Sequence, residues 1–133
     1  MTTAEILKSC QLNLGASDEA IDDAASSIGY SLPTDYVRFL RSHNGGEGFV
    51  GANYLILWTA QELAAFNREY EVEKYAPGIL LFASSGGGTG YGFDTRNSTM
   101  PVVSIEFIGM SLNDLDLVGS NFSDFLNRLA SPL

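Results

Sequence analysis

A glycine-rich stretch is the most conspicuous place for chemistry in this sequence. Residues 84–94 read Ser-Ser-Gly-Gly-Gly-Thr-Gly-Tyr-Gly-Phe-Asp and lie between two predicted strands. Phosphate-binding loops use glycines to let backbone amides approach the anion, and they add a lysine or a helix N-terminus for positive charge. Here the only basic residues after Lys74 are Arg96 and Arg128. We therefore expect the glycines to serve a turn and close backbone contacts, although a rigid loop can also form a binding surface.

The residue types that carry most catalytic and metal chemistry are scarce. The chain has one histidine, His43, and one cysteine, Cys10. His43 follows a predicted helix, where a histidine complements the helix dipole, and no serine-hydrolase motif accompanies it. A lone cysteine forms neither an intramolecular disulfide nor a cysteine-rich zinc site, and Cys10 fits the apolar side of a helix. Asp114 and Asp116 lack the other ligands of an EF-hand loop. We expect no catalytic residue, no cofactor and no metal.

Carboxylates and one tyrosine are the candidates for binding a protein partner. Glu69, Glu71 and Glu73 lie near the end of the predicted middle helix, and Asp94 is expected beside the glycine loop. Tyr91 is flanked by glycines, so its ring could be an exposed anchor of the kind found in interface hot spots. We predict that these five residues contribute to a partner-binding surface.

The charge of the chain narrows the class of partner. Seven Lys and Arg residues oppose sixteen Asp and Glu residues, which gives a net charge of -9 and a pI of about 4.3. Such a protein has no basic field to condense on phosphates, so nucleic acid and anionic membranes are poor partners. A basic protein is favoured, because opposite fields raise the rate of encounter.

Length and hydropathy favour one domain in a reducing compartment. A chain of 133 residues has the commonest size of a single domain. The longest apolar runs, 54–58 and 79–83, are far below the ~18 residues that a membrane helix needs. No signal-peptide pattern is found at the amino terminus, so we expect a cytoplasmic protein.

The secondary structure follows from apolar periodicity, helix caps and turn residues. Thr2, Ser17 and Thr59 stand where helix N-caps are expected, with Glu5 and Glu62 completing capping boxes. Helices are predicted over 3–12, 18–28, 33–42, 60–76 and from about 120, the last with Pro132 past its end, and strands over 54–58, 79–83, 90–94, 102–108 and 114–118. This order favours an α+β domain, and the close succession of strands favours antiparallel pairing.

Several motifs together resemble one family. They are Leu32-Pro-Thr-Asp-Tyr-Val-Arg-Phe-Leu40 followed by Asn44-Gly-Gly, Leu57-Trp58, Glu62-Leu63, Asn67, Tyr70, the glycine segment ending in Asp94, and Val118-Gly-Ser-Asn-Phe-Ser-Asp-Phe-Leu126. Their order and separations resemble the SUKH superfamily, which includes the fungal Smi/Knr regulators of cell-wall assembly. The resemblance covers about residues 17–129.

The resemblance implies an α+β fold with a mixed or mainly antiparallel sheet packed against helices. It also implies a non-catalytic binding role, because bacterial members are commonly immunity proteins that neutralise polymorphic or contact-dependent toxins, often nucleases. We therefore expect a basic toxin domain as the partner, with the oligomeric state left open. Two alternatives remain: a regulatory or scaffold module for an endogenous partner, and a small-ligand domain or enzyme built on the loop from Gly86 to Gly92.

Overall fold

Helices and one large sheet make up the computed structural model, which describes residues 2–131. Within this range the helices are α1 (Thr3–Ile6), α2 (Asp18–Ile28), α3 (Thr34–Ser42), α4 (Leu63–Glu69), α5 (Val72–Tyr75) and α6 (Phe122–Ala130). The strands are β1 (Cys10–Leu12), β2 (Gly46–Val50), β3 (Asn53–Leu57), β4 (Ile79–Ser84), β5 (Thr89–Asp94), β6 (Val102–Glu106) and β7 (Asp116–Gly119). Short 3₁₀ turns at Ala60–Glu62 and Leu112–Asp114 precede α4 and β7. Pro132, predicted to follow the last helix, lies outside the described residues.

The seven strands form a meander in chain order. Each strand pairs with the next from β1 to β7, and every pairing between the described strands is antiparallel. The β2–β3 and β4–β5 connections are short, as antiparallel neighbours allow, whereas α2 and α3 lie between β1 and β2, and α4 and α5 lie between β3 and β4. The predicted α+β fold is therefore confirmed. Within residues 2–131 no helix combines the length and the apolarity needed to cross a membrane.

The amino-terminal prediction is wrong beyond the first turn. The Thr2 side chain accepts a hydrogen bond from the Glu5 amide, as a cap should, but α1 ends at Ile6, and Cys10 lies in strand β1 rather than in a helix. Strand β1 pairs with β2, whose Gly46 has a φ of 143°. A Cβ on Gly46 would stand 2.4 Å from the Gln11 carbonyl oxygen. Close approach of the two backbones thus depends on glycine, and this tertiary pairing overrides the helical pattern.

The middle helix also differs from its prediction. The Thr59–Glu62 capping box is present, but the helix stops at Glu69 and resumes only at Val72. Glu71 between them has left-handed backbone angles, φ 53° and ψ 43°. The turn places the buried Val72 against the core, so packing decides against one continuous helix.

An aromatic core joins α3 and α6 to one face of the sheet. The Tyr36 ring lies 5.3 Å from Phe82, 5.2 Å from Phe93 and 5.2 Å from Phe122, between centroids. Phe125 packs edge-on against Phe82 at 5.8 Å. The predicted apolar face of the last helix is confirmed, because Phe122, Phe125 and Leu126 are all buried.

A single asparagine attaches α4 to the sheet. Strands β3 and β4 pair only at Ile56–Ser84 and Leu57–Ala83, so the earlier residues of β4 lack a strand on that side. Asn67 of α4 fills the gap: its amide nitrogen donates to the Leu81 carbonyl at 2.9 Å and its amide oxygen accepts from the Leu81 N–H at 2.9 Å. The side chain thus takes the place of a neighbouring strand and holds α4 beside β4.

Candidate functional site

A shallow groove of about 1050 Å³ lies on the face of the sheet opposite α3 and α6. We call it the open groove. Strand alternation builds it, because cross-strand partners share a face. Glu47 is paired with Ile56, and Phe49 with Tyr54. The 3₁₀ turn and α4 close one side with Glu62 and Phe66, and Trp58 is buried in the floor.

Aromatic rings give the open groove its apolar character. Phe49 is 56% exposed, and its ring meets that of Tyr54 edge-on with centroids 5.1 Å apart. Trp58 contacts Phe66 in the same manner at 4.9 Å. Exposing a phenylalanine ring to water has an unfavourable free energy. Contiguous exposed aromatic rings are therefore typical of recognition sites.

The charged groups of the open groove are acidic. Glu47 accepts a 2.5 Å hydrogen bond from the Tyr54 hydroxyl, and this bond raises the pKa of Tyr54. Glu62 accepts from the Thr59 amide at 2.9 Å as part of the capping box. Among the described residues, the lining has these two carboxylates and no lysine, arginine or histidine. Carboxylates beside aromatic rings can hold a cationic side chain by charge and by cation–π attraction.

The glycine loop follows Ser84, a lining residue of the open groove, and lies beside Tyr54. Gly86 has a φ of 80°, and a Cβ there would stand 3.3 Å from the Tyr54 ring. A Cβ on Gly90 would stand 2.7 Å from the Phe107 ring, and one on Gly92 would stand 2.8 Å from the Leu80 carbonyl oxygen. The expected turn at Gly86 and close backbone contact at Gly92 are confirmed, whereas the close neighbour of Gly90 is a side-chain ring. Nothing in the structure explains why the neighbouring Gly87 must be glycine.

The interpretation of Tyr91 as an exposed anchor is wrong. Tyr91 is only 9% exposed, and its ring lies 4.9 Å from that of Phe125. The alternation of β5 turns Tyr91 toward α6 and turns the flanking glycines toward the opposite face. Flanking glycines in the sequence therefore do not signal exposure here. Burial raises the pKa of the Tyr91 hydroxyl.

The structure separates Asp94 from the glycine loop. Asp94 ends β5, which also contains Gly90 and Gly92, whereas the turn formed by residues 85–88 precedes Thr89 at the other end of that strand. Six residues of extended chain span roughly 17–20 Å, so the expected adjacency is wrong. The Arg96 guanidinium donates to both oxygens of Asp94 at 2.9 Å and holds the pKa of this carboxyl below its usual range.

Glu69, Glu71 and Glu73 lie together at the α4–α5 junction. All three are exposed, and Glu71 forms an ion pair of 3.7 Å with Lys74. Glu71 and Glu73 line a cleft of about 690 Å³ whose other charged residues are Arg68 and Lys74. The charges of this cleft are therefore mixed, unlike those of the open groove.

The remaining reactive residue types are not gathered into a site. His43 is exposed, and its Nδ1 lies 3.2 Å from the Asn13 carbonyl oxygen. Cys10 is half-buried at the sheet edge, where burial raises its thiol pKa. In the part of the chain that the structure describes, no three His, Cys, Asp or Glu residues stand close enough to hold a metal ion.

Sequence reasoning missed the open groove because it missed β2. Three glycines in residues 45–48 masked a strand, since glycine has low strand propensity. A signal was nevertheless present: Glu47 and Phe49 alternate, as do Tyr54 and Ile56 two residues beyond a turn. Such alternation across a short connection is typical of a hairpin with one accessible face.

Two comparisons with known proteins find similarity, and one of them gives the family. The chain is 35% identical over 81 residues to a protein of Bacillus subtilis (strain 168) named "Uncharacterized protein YnaB". The matched segment is 61% of this chain and 47% of that relative, so the match spans about half of the relative's length. Residues 15–128 match the SMI1 / KNR4 family (SUKH-1), close to the range over which the motifs resemble it. The chain therefore belongs to the SMI1 / KNR4 family (SUKH-1).

Proposed function

We propose that this chain is a non-catalytic immunity-type protein that binds a basic toxin domain stoichiometrically and masks its functional surface. The observation that carries the proposal is the open groove, a surface of aromatic and polar side chains whose charged residues are both carboxylates. A nuclease toxin must carry positive charge to hold its substrate, so its active surface is complementary to such a groove. Membership of the SMI1 / KNR4 family supports a binding role.

The overall charge supports the same class of partner. Four of the seven basic side chains, Arg41, Lys74, Arg96 and Arg128, are already ion-paired with acidic neighbours. The surplus of acidic residues therefore sets the outer field. This field attracts a cationic partner over distances set by screening, ~8 Å at physiological ionic strength.

The predicted acidic residues enter the proposal as contributors to steering. Glu69 and Glu73 are exposed and form no ion pair among residues 2–131, so their charge acts on an approaching partner. Glu71 and Asp94 contribute less, because Lys74 and Arg96 neutralise them locally. Replacing Glu69 and Glu73 together by Gln should lower the association rate severalfold and leave the dissociation rate nearly unchanged.

The test is to produce the chain together with the toxic domain encoded by the neighbouring gene. We expect restored growth of the host, a one-to-one complex in light scattering, and an association rate that falls from about 50 to about 500 mM salt. Toxicity that persists although this chain is folded and abundant in the host would refute the immunity function. Absence of any toxin gene in the neighbourhood would favour the regulatory or scaffold role instead.

A further inference from the structure

We infer that the open groove binds an arginine side chain presented by the partner, with Glu47 and Tyr54 as its anchors. This assignment rests on the proposed function for the biological source of the arginine. It makes a chemical claim of its own, because it selects guanidinium over ammonium and places the contact on β2 and β3.

The first argument is that the Glu47 carboxylate is available to a cation. Its Oε2 accepts from the Tyr54 hydroxyl, and within the described residues it forms no ion pair. The hydrogen bond fixes the carboxylate beside the Tyr54 ring. A fixed carboxylate loses little conformational entropy when a cation binds, which favours a directed contact.

The second argument is the position of the rings. Tyr54 and Phe49 lie edge-to-face with their ring centroids 5.1 Å apart, and the Tyr54 hydroxyl donates to Glu47, so an aromatic pair stands beside this carboxylate. A guanidinium is planar and can stack on an aromatic face while its N–H groups donate sideways to an oxygen. An ammonium is compact and strongly hydrated, and it gains less from the flat surface. The geometry therefore favours arginine over lysine.

The third argument excludes other occupants by charge and shape. A second copy of this chain would bring another net charge of -9, and the groove would face like charge. A wholly apolar segment would bury Glu47 and Glu62 without a counterion, which carries a large desolvation cost. A segment that pairs apolar atoms with an arginine satisfies both the rings and the carboxylates.

The experiment is an NMR titration of the labelled full chain with N-acetyl-arginine methylamide and, separately, with the corresponding lysine compound at matched ionic strength. We expect saturable shifts at Phe49, Tyr54 and Ile56, and a dissociation constant at least severalfold lower for the arginine compound. Glu47→Gln should raise that constant by about tenfold. The matched control Glu19→Gln removes the same charge from an exposed position outside the groove and should leave the constant unchanged.

Three results would overturn the assignment. They are equal shifts with both compounds, shifts spread evenly over the exposed acids, or an equal effect of Glu47→Gln and Glu19→Gln. Binding of the toxin domain to the wild-type chain and to Glu47→Gln distinguishes a failure of the groove assignment from a failure of the proposed function. If the domain binds and Glu47→Gln changes its affinity by less than about twofold, the groove assignment is wrong and immunity stands. If the arginine compound binds the groove but no toxin domain does, the groove stands and immunity is wrong.

Discussion

Replacing Asn67 by Ala should be one of the most destabilising single changes in α4. The side chain makes three hydrogen bonds, two with the backbone of the fully buried Leu81 and one with the Leu63 carbonyl oxygen at 2.8 Å. Alanine leaves the Leu81 N–H and C=O without partners. Each buried, unpaired backbone group costs about 1–3 kcal/mol, so the expected loss of unfolding free energy is about 2–6 kcal/mol. This is a large part of the ~5–15 kcal/mol typical of a domain.

Asn127 of α6 provides a matched control. Its amide donates to the Ser123 carbonyl oxygen four residues earlier, at 3.0 Å, just as Asn67 donates to Leu63. Within residues 2–131 the Asn127 side chain makes no hydrogen bond to a strand. Asn127→Ala should therefore lower the unfolding free energy by no more than about 1 kcal/mol.

Urea unfolding followed by circular dichroism measures both variants. The urea concentration at the unfolding midpoint should fall much further for Asn67→Ala than for Asn127→Ala. The slope of the unfolding free energy against urea concentration should stay unchanged. Asn67→Asp retains the acceptor for the Leu81 N–H but sets a carboxylate oxygen against two carbonyl oxygens, so it should destabilise at least as much as alanine. Equal losses for Asn67→Ala and Asn127→Ala, within about 0.5 kcal/mol, would refute the idea that this amide replaces a strand.

Three further predictions concern the core, acid stability and the glycine loop. The buried Tyr36 hydroxyl has no hydrogen-bond partner among the described residues. Tyr36→Phe should therefore leave the unfolding free energy, measured in urea, unchanged or raise it by about 1 kcal/mol. A clear loss of unfolding free energy would show that the hydroxyl is hydrogen-bonded. Arg96 lowers the pKa of Asp94 in the folded state, so the unfolded state binds more protons in acid, and the stability that Asp94 contributes should disappear as the pH falls below about 4. Unfolding of Asp94→Asn should differ from wild type at neutral pH and converge with it at about pH 2, and a difference that persists in acid would contradict this linkage. Gly86→Ala should lower the unfolding free energy by about 1 kcal/mol or more because Gly86 has a positive φ, whereas Gly87→Ala should leave it unchanged. Equal effects of the two variants in thermal unfolding would refute the interpretation that the glycine serves the turn.

Local sequence alone was sufficient where the stabilising contacts lie within a turn of helix. Ser17 accepts from the Ala20 amide, Gly29 ends α2 in the left-handed region, and the capping box of Thr59 and Glu62 forms as predicted. The apolar face of α6 is also correct. Each of these features depends on residues three or four positions apart, which a reading of the sequence sees directly.

Tertiary structure alone decided the sheet edge and the candidate site. Strand β1 exists because Gly46 lets its backbone approach, and the partner strand β2 is more than thirty residues away in the sequence. The burial of Tyr91 depends on Phe125 of the last helix. The open groove combines residues of the four strands β1 to β4 with a 3₁₀ turn and α4. These outcomes depend on contacts between distant segments, whose free energies exceed the propensity differences of about 1 kcal/mol or less per residue that local patterns express.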